Sequence, residues 1–287
     1  MLMEQYSLVE QNIVSHDRVA AVRGTESYDA RHIEIFNHHE QLRLQKALAR
    51  SWRLKQTSNN RALDFGCGTG NLTRKILNLG ATVFAAVVSS GMLKRVGEML
   101  PAAVQSSQLS THLLTGEFPL PFPDGYFGFV ATYSVLHHVP DYLTAVRELA
   151  RVVDKGGVLY IDHEAAEETH RSPEPIGLKI HRNLHRPALG IPQLIRRWRT
   201  RRISTETDLA ELKARVLAAE GDIHVFADDY IEWNKISTIL SGCGFSESKF
   251  KSYLACTEKT WFAWRYWVCR SFVANTGIYV GMKTVAI

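Results

Sequence analysis

The segment Ala62-Leu63-Asp64-Phe65-Gly66-Cys67-Gly68-Thr69-Gly70 sets three glycines at alternate positions directly after a short apolar run. Glycine lets backbone approach a ligand closely, and a helix starting beyond such a turn presents unpaired N–H groups to it. Asp64, at the end of the run, is placed to hold the turn or a ligand amine. The second candidate set is imidazole: His137 and His138 after one apolar run, and His163 at the end of another in Asp162-His163-Glu164. Imidazole titrates near neutral pH and can take a proton from a hydroxyl group. His137 and His163 are the candidate catalytic residues. Metal chemistry is disfavoured, because His38-His39-Glu40 would need histidine at position 43 to make H-E-x-x-H, and that residue is Arg43. His181 and His185 stand four apart but are followed by Pro187 and flanked by arginines. No metal is expected.

The elements that must carry these groups alternate in type. Apolar runs near 61–65, 81–88, 111–114, 126–133 and 157–162 read as strands, and helical patterns at 70–79, 91–100 and 141–153 fall between them, the signature of a parallel sheet covered by helices. Gly80 closes the first helix, Pro101 stops the second and Asp141 caps the third. An amphipathic helix is expected over about 31–54, with Ile33, Phe36, Leu44, Leu48 and Trp52 on one face. Past 163 the pattern breaks, and it returns with a helix near 228–241 and strands near 245–255 and 277–285. The expected organisation is an N-terminal helical lid over 1–60, a core over 61–163 and 228–287, and an insertion over 164–227 that caps the substrate.

In this order the motifs resemble the class I S-adenosylmethionine-dependent methyltransferases, in their small-molecule branch near the ubiquinone and menaquinone enzymes. The glycine segment is similar to the family's cofactor loop. Ser90-Gly91-Met92-Leu93, Leu120-Pro121-Phe122-Pro123-Asp124-Gly125, Val135-Leu136-His137-His138-Val139-Pro140-Asp141 and Glu148-x-x-Arg151-Val152-x-x-x-Gly156-Gly157 match later family stretches. The likeness covers about 61–163. It implies an α/β, Rossmann-like seven-stranded methyltransferase sheet with its last strand antiparallel, an N-terminal helical lid and an inserted basic and helical segment. It also implies in-line attack on the sulfonium methyl of S-adenosylmethionine, leaving S-adenosylhomocysteine. Carried over residue by residue, the cofactor-binding set is Tyr28, Asp64, Gly66, Cys67, Gly68, Gly70, Val87, Val88, Met92, Gly116, Glu117 and Tyr133, with Tyr28 as the lid tyrosine.

Three of the family's common acids are missing. Val87 stands where Asp or Glu usually binds both ribose hydroxyls, Gly116 where Asp is common beside the adenine, and Gly128 at a third position. Losing a charge-assisted hydrogen bond of roughly 1.5–3 kcal/mol would weaken binding about 10- to 100-fold. Glu117 or Ser89 could substitute. The departures leave open a second reading, a non-catalytic binding or regulatory protein on the same scaffold.

The chain has 287 residues, 45% of them hydrophobic, which excludes a disordered polypeptide. Its four cysteines, Cys67, Cys243, Cys256 and Cys269, form no C-x-x-C pair and suit a reducing compartment. With no apolar run of membrane-spanning length and no secretory pattern before Gln11, the expectation is cytoplasmic. The net charge of +5 is local, since residues 171–202 hold nine basic and one acidic residue and the remainder is slightly acidic. That segment suits an anionic partner or a membrane surface. Trp261, Trp264 and Trp267 at i, i+3, i+6 read as core packing first, and otherwise as a hydrophobic substrate pocket, a membrane-surface anchor or a homodimer face. RNA methylation is a third reading, and the absence of [DN]-P-P-[FYW] after the fourth strand, where Ala131-Thr132-Tyr133-Ser134 stands, argues against nucleic acid. The preferred acceptor is a small or lipid-like molecule.

Overall fold

The computed structural model describes residues 8–22, 37–167, 231–255 and 274–284, with a few single positions besides. Tyr28, most of the insertion with its basic stretch, and the three tryptophans of 261–267 lie outside the described residues.

The chain opens with α1 (Leu8–Val22) and α2 (His38–Trp52). The core then runs β1 (Arg61–Phe65), α3 (Asn71–Leu77), β2 (Thr82–Val87), α4 (Ser90–Met99), α5 (Pro101–Gln105), β3 (Leu109–Leu113), β4 (Phe127–Tyr133), α6 (Tyr142–Val152) and β5 (Val153–Ala165). The described residues from 231 onward supply α7 (Trp233–Gly242), β6 (Phe245–Tyr253) and β7 (Thr276–Lys283). The seven strands form one sheet in the order β3-β2-β1-β4-β5-β7-β6. β1 to β5 pair in parallel, and β7 runs antiparallel to both β5 and β6, as the resemblance implies.

Local chemistry sets these boundaries. Asn37 caps α2, its Oδ1 accepting from His39 N at 3.0 Å and Glu40 N at 3.3 Å. Ser89 caps α4 by accepting from Met92 N at 3.2 Å, Pro101 opens α5, and Asp141 caps α6 by accepting from Thr144 N at 3.1 Å. A parallel sheet must be covered on both faces, so its central strand carries an unbroken apolar run; Phe127 through Thr132 are all buried. Leu44 and Leu48 of α2 pack on one face with Phe129 and Tyr160. Val146 and Leu149 of α6 pack on the other with Val130 and Ile161.

Three elements differ from expectation, one of them α5, a short helix that Pro101 opens directly after ending α4. The helix at 31–54 is described from His38, and α1 precedes it where the periodicity gave no element. β5 begins at Val153 rather than 157, because Val153 pairs with Phe127 across a bulge. Gly128 also has a new explanation. A Cβ there would stand 2.0 Å from the Asn59 carbonyl oxygen, so the loop leading into β1 excludes any side chain at this position. The missing acid at Gly128 is a packing requirement of the fold.

Candidate functional site

Strand order reverses between β1 and β4, the place where open α/β sheets bind ligands outside the carboxyl ends of their strands. A cavity of about 140 Å³ opens there. Its floor is the glycine turn, with Gly66 and Gly68 in the lining; Val87 and Val88 come from the end of β2, and Gly116 and Glu117 from the loop after β3. Ser134, Val135 and His138 close the β4 side, while Val9, Asn12 and His16 of α1 form the roof.

The turn works because its glycines sit where other residues cannot. Gly66 has φ 77°, and a Cβ on it would be 2.4 Å from Val135 Cγ2. Gly68, at φ 49°, meets nothing within 4 Å, so its backbone faces open space. Asp64 is fully buried below the turn, and its Oδ2 accepts from Thr73 Oγ1 at 2.6 Å, tying β1 to α3. Its Oδ1 is buried and has no hydrogen-bond partner among the described residues. Burial pushes its carboxyl up to about 7, against the opposing effect of the Thr73 hydrogen bond. A raised carboxyl favours the folded state fully below the ordinary value of 3.8 and loses that contribution as pH rises through about 7. In Asp64→Asn this titration is removed. The wild type should therefore lose up to roughly 1.4 kcal/mol per pH unit relative to the variant between about pH 4 and 7. Urea melts across that range measure the difference, and parallel pH profiles would contradict it.

α1 is seated by groups that the sequence departures accommodate. Asp17 Oδ1 accepts from Ser89 Oγ at 2.6 Å and from Gly91 N at 2.9 Å, at the start of α4. Ala20 packs on Met92, with Val87 against them. A Cβ at Gly116 would stand 2.4 Å from Val9 Cγ1, so an aspartate there would collide with the helix. The apolar Val87 and the bare Gly116 are both part of the bed on which α1 lies. Ser89 is fully buried and engaged with Asp17 and Met92, so it does not reach the cavity; Glu117 does.

Among the other expected cofactor residues, Asp64, Cys67, Gly70, Met92 and Tyr133 lie outside the cavity lining. Cys67 and Met92 are buried behind it, and Gly70 is the N-cap of α3. Tyr133 stacks on His163 at 4.9 Å between ring centroids.

Neither candidate base lines the cavity. His163 sits at φ 62°, where the β5–β7 register shifts between Asp162 and Glu164, and stacks on Tyr133, which packs with the α2 face of the sheet. His137 is 4% exposed, with Nδ1 2.7 Å from Glu164 Oε2. Glu164 Oε1 also accepts from Val135 N and Leu136 N, both at 2.8 Å. Burial alone would raise this carboxyl, but His137 and the two backbone donors outweigh it and hold Glu164 below the usual range. The imidazoles that line the cavity are His138 and, from α1, His16. The His138 ring lies 4.0 Å from that of His137 and meets His16 edge to face at 6.3 Å.

Other chemistry is sparse in the structure. Among the described residues no group of three or more His, Cys, Asp or Glu is placed to hold a metal ion. No described helix is long and apolar enough to cross a membrane.

Residues 63–161 match a methyltransferase domain family. A demethylmenaquinone methyltransferase of Bacillus licheniformis is 37% identical over 102 residues, covering 33% of this chain and 41% of the relative. An O-methyltransferase of Aspergillus sclerotiorum is 30% identical over 125 residues, covering 43% and 47%. The chain thus spans under half the length of these two curated relatives. The protein bound to the Trm112 methyltransferase activator in a Haloferax volcanii complex shares the fold, with a TM-score of 0.53 at 16% identity over 94% of this chain and 98% of that one. Residues 63–161 are thus similar to a methyltransferase domain, and the sheet they help to build is shared with that solved structure.

Proposed function

We propose that the protein transfers a methyl group from S-adenosylmethionine to a small or lipid-like acceptor by in-line attack at the sulfonium methyl. The observation that carries this reading is the cavity itself, set at the sheet's switch point over a glycine turn whose Gly68 leaves open space where a side chain would begin.

The residues present suit the cofactor. Gly66 and Gly68 allow close backbone approach to its methionine part. Val87, Val88, Leu114 and Phe118 offer an apolar slot for the base, with the Glu117 carboxylate at its rim as acceptor for an amino or hydroxyl group. When bound, S-adenosylmethionine supplies an already activated methyl group, so the protein's main task is to align two reactants and exclude water. His138 is a residue on the wall able to take a proton from an attacking hydroxyl, and the buried His137–Glu164 pair fixes the turn that presents it. The basic segment 171–202 is the part of the chain suited by charge to an anionic group on the acceptor or to a lipid surface.

The experiment is incubation of the protein with methyl-labelled S-adenosylmethionine and a cell extract, followed by fractionation. Protein-dependent label is expected in the small-molecule fraction soluble in organic solvent. Label confined to RNA or protein would overturn the acceptor class, and no label in any fraction would overturn methyl transfer.

A further inference from the structure

α1 brings an unusual side chain to the cavity. Asn12 is 5% exposed and lines the cavity with Gly66, Gly68 and His138. Its Nδ2 donates to the His138 carbonyl oxygen at 3.4 Å. Its Oδ1 is buried and has no hydrogen-bond partner among the described residues. Exchanging the two amide atoms would set oxygen against oxygen, so the bond to His138 fixes which atom is left over. A buried acceptor without a donor is unfavourable, and most such groups in folded proteins are satisfied. The strand ends meanwhile bring no carboxylate to the β2 side of the cavity, where Val87 stands.

We propose that Asn12 contacts the bound adenosyl ligand directly, its Oδ1 accepting a hydrogen bond from an O–H or N–H of that ligand, so that part of the polar recognition absent from β2 is delivered by the lid helix. The inference rests on the cavity being an S-adenosyl site. A ribose hydroxyl, the adenine amino group and the ammonium of the amino-acid tail all carry the required donor. The backbone of α1 holds the side chain in reach: His16 Nδ1 lies 2.8 Å from the Asn12 carbonyl oxygen, and Asp17 ties the helix to Ser89 and Gly91 at the start of α4.

Calorimetric titration of the wild type and of Asn12→Leu with S-adenosylhomocysteine and with 5′-methylthioadenosine tests the proposal. Leucine matches asparagine in shape and keeps α1 packed while removing the acceptor; Asn12→Ala is the second variant, read where the leucine chain fails to fold. A loss of about 10-fold or more for both ligands assigns the donor to the nucleoside, and a loss for S-adenosylhomocysteine alone assigns it to the tail ammonium. Unchanged affinity for both ligands, with the wild type binding, overturns the role of Asn12. A wild type that binds neither ligand overturns the reading of the cavity instead.

Discussion

Glu164→Ala is expected to destabilise the protein by about 3–5 kcal/mol, the typical cost of removing one partner from a buried ion pair. The side chain is 1% exposed and performs three tasks at once. It receives the N–H groups of Val135 and Leu136 at 2.8 Å each, and its Oε2 lies 2.7 Å from His137 Nδ1. Alanine would leave two backbone donors without this acceptor, each with its own desolvation penalty. Because the pair holds the carboxyl below its usual range, its contribution is present above the unfolded carboxylate range and lost as pH falls, opposite in sign to Asp64. Chemical denaturation of the wild type and variant at neutral pH measures the cost. The same turn sets Val135 and His138 against the cavity, so affinity for an S-adenosyl ligand should fall together with stability. A variant within about 1 kcal/mol of the wild type would show that the carboxylate is replaceable at this turn.

Arg43→Met should cost a comparable 3–5 kcal/mol for a different reason: it strands a charge at the opposite end of β5 from its start. Asp162 is fully buried, and its carboxylate accepts from Arg43 Nη1 at 3.0 Å, from Tyr253 Oη at 2.9 Å, from His163 N at 2.8 Å and from Tyr160 Oη. The guanidinium also lies 4.0 Å from the centre of the Tyr253 ring. Burial works against the charge on Arg43, but Asp162, Tyr253 and Glu40 more than offset it and hold the guanidinium protonated. Without Arg43 the tyrosine hydroxyls can solvate Asp162 only in part. In Arg43→Met/Asp162→Leu the Asp162 charge is removed and part of the lost stability should return, while the buried Glu40, whose Oε2 accepts from Arg43 Nε at 2.8 Å, still loses that bond. None of these residues lines the cavity, so ligand affinity of the folded single variant should stay near that of the wild type. A double variant no more stable than the single one would contradict the stranded-charge explanation.

Much of the core was legible because each strand is a short apolar run and several helices have a local boundary signal, such as Asp141 capping α6 or Pro101 standing just past the end of α4. The glycine turn was equally legible, since strand, turn and helix are contiguous. α1 was not, and its composition explains why. Its inward face includes the buried polar residues Asn12 and Ser15, so a search for apolar periodicity passes over it. Its ties reach across 72 positions to Ser89 and 126 to His138, distances at which only the folded chain shows the pairing. Gly128 misled for a related reason. The sequence showed a missing carboxylate, but the carbonyl of Asn59 that forbids a side chain there belongs to another segment. His137 and His163 were drawn to the site by their places at strand ends, where parity and a bulge decide which face a ring joins. The β5 bulge carries His163 onto Tyr133, while Glu164 draws His137 inward and leaves the cavity wall to His138.

The central claim is that the cavity beneath α1 is an S-adenosyl site, and calorimetric titration of the wild-type chain with S-adenosylhomocysteine tests it most directly. The expected result is saturable binding at one site per chain, with a dissociation constant on the order of 1 μM to 1 mM, the range in which enzymes usually hold their substrates. A titration without binding heat at millimolar ligand, repeated at a second temperature to exclude a zero in the enthalpy, would contradict it.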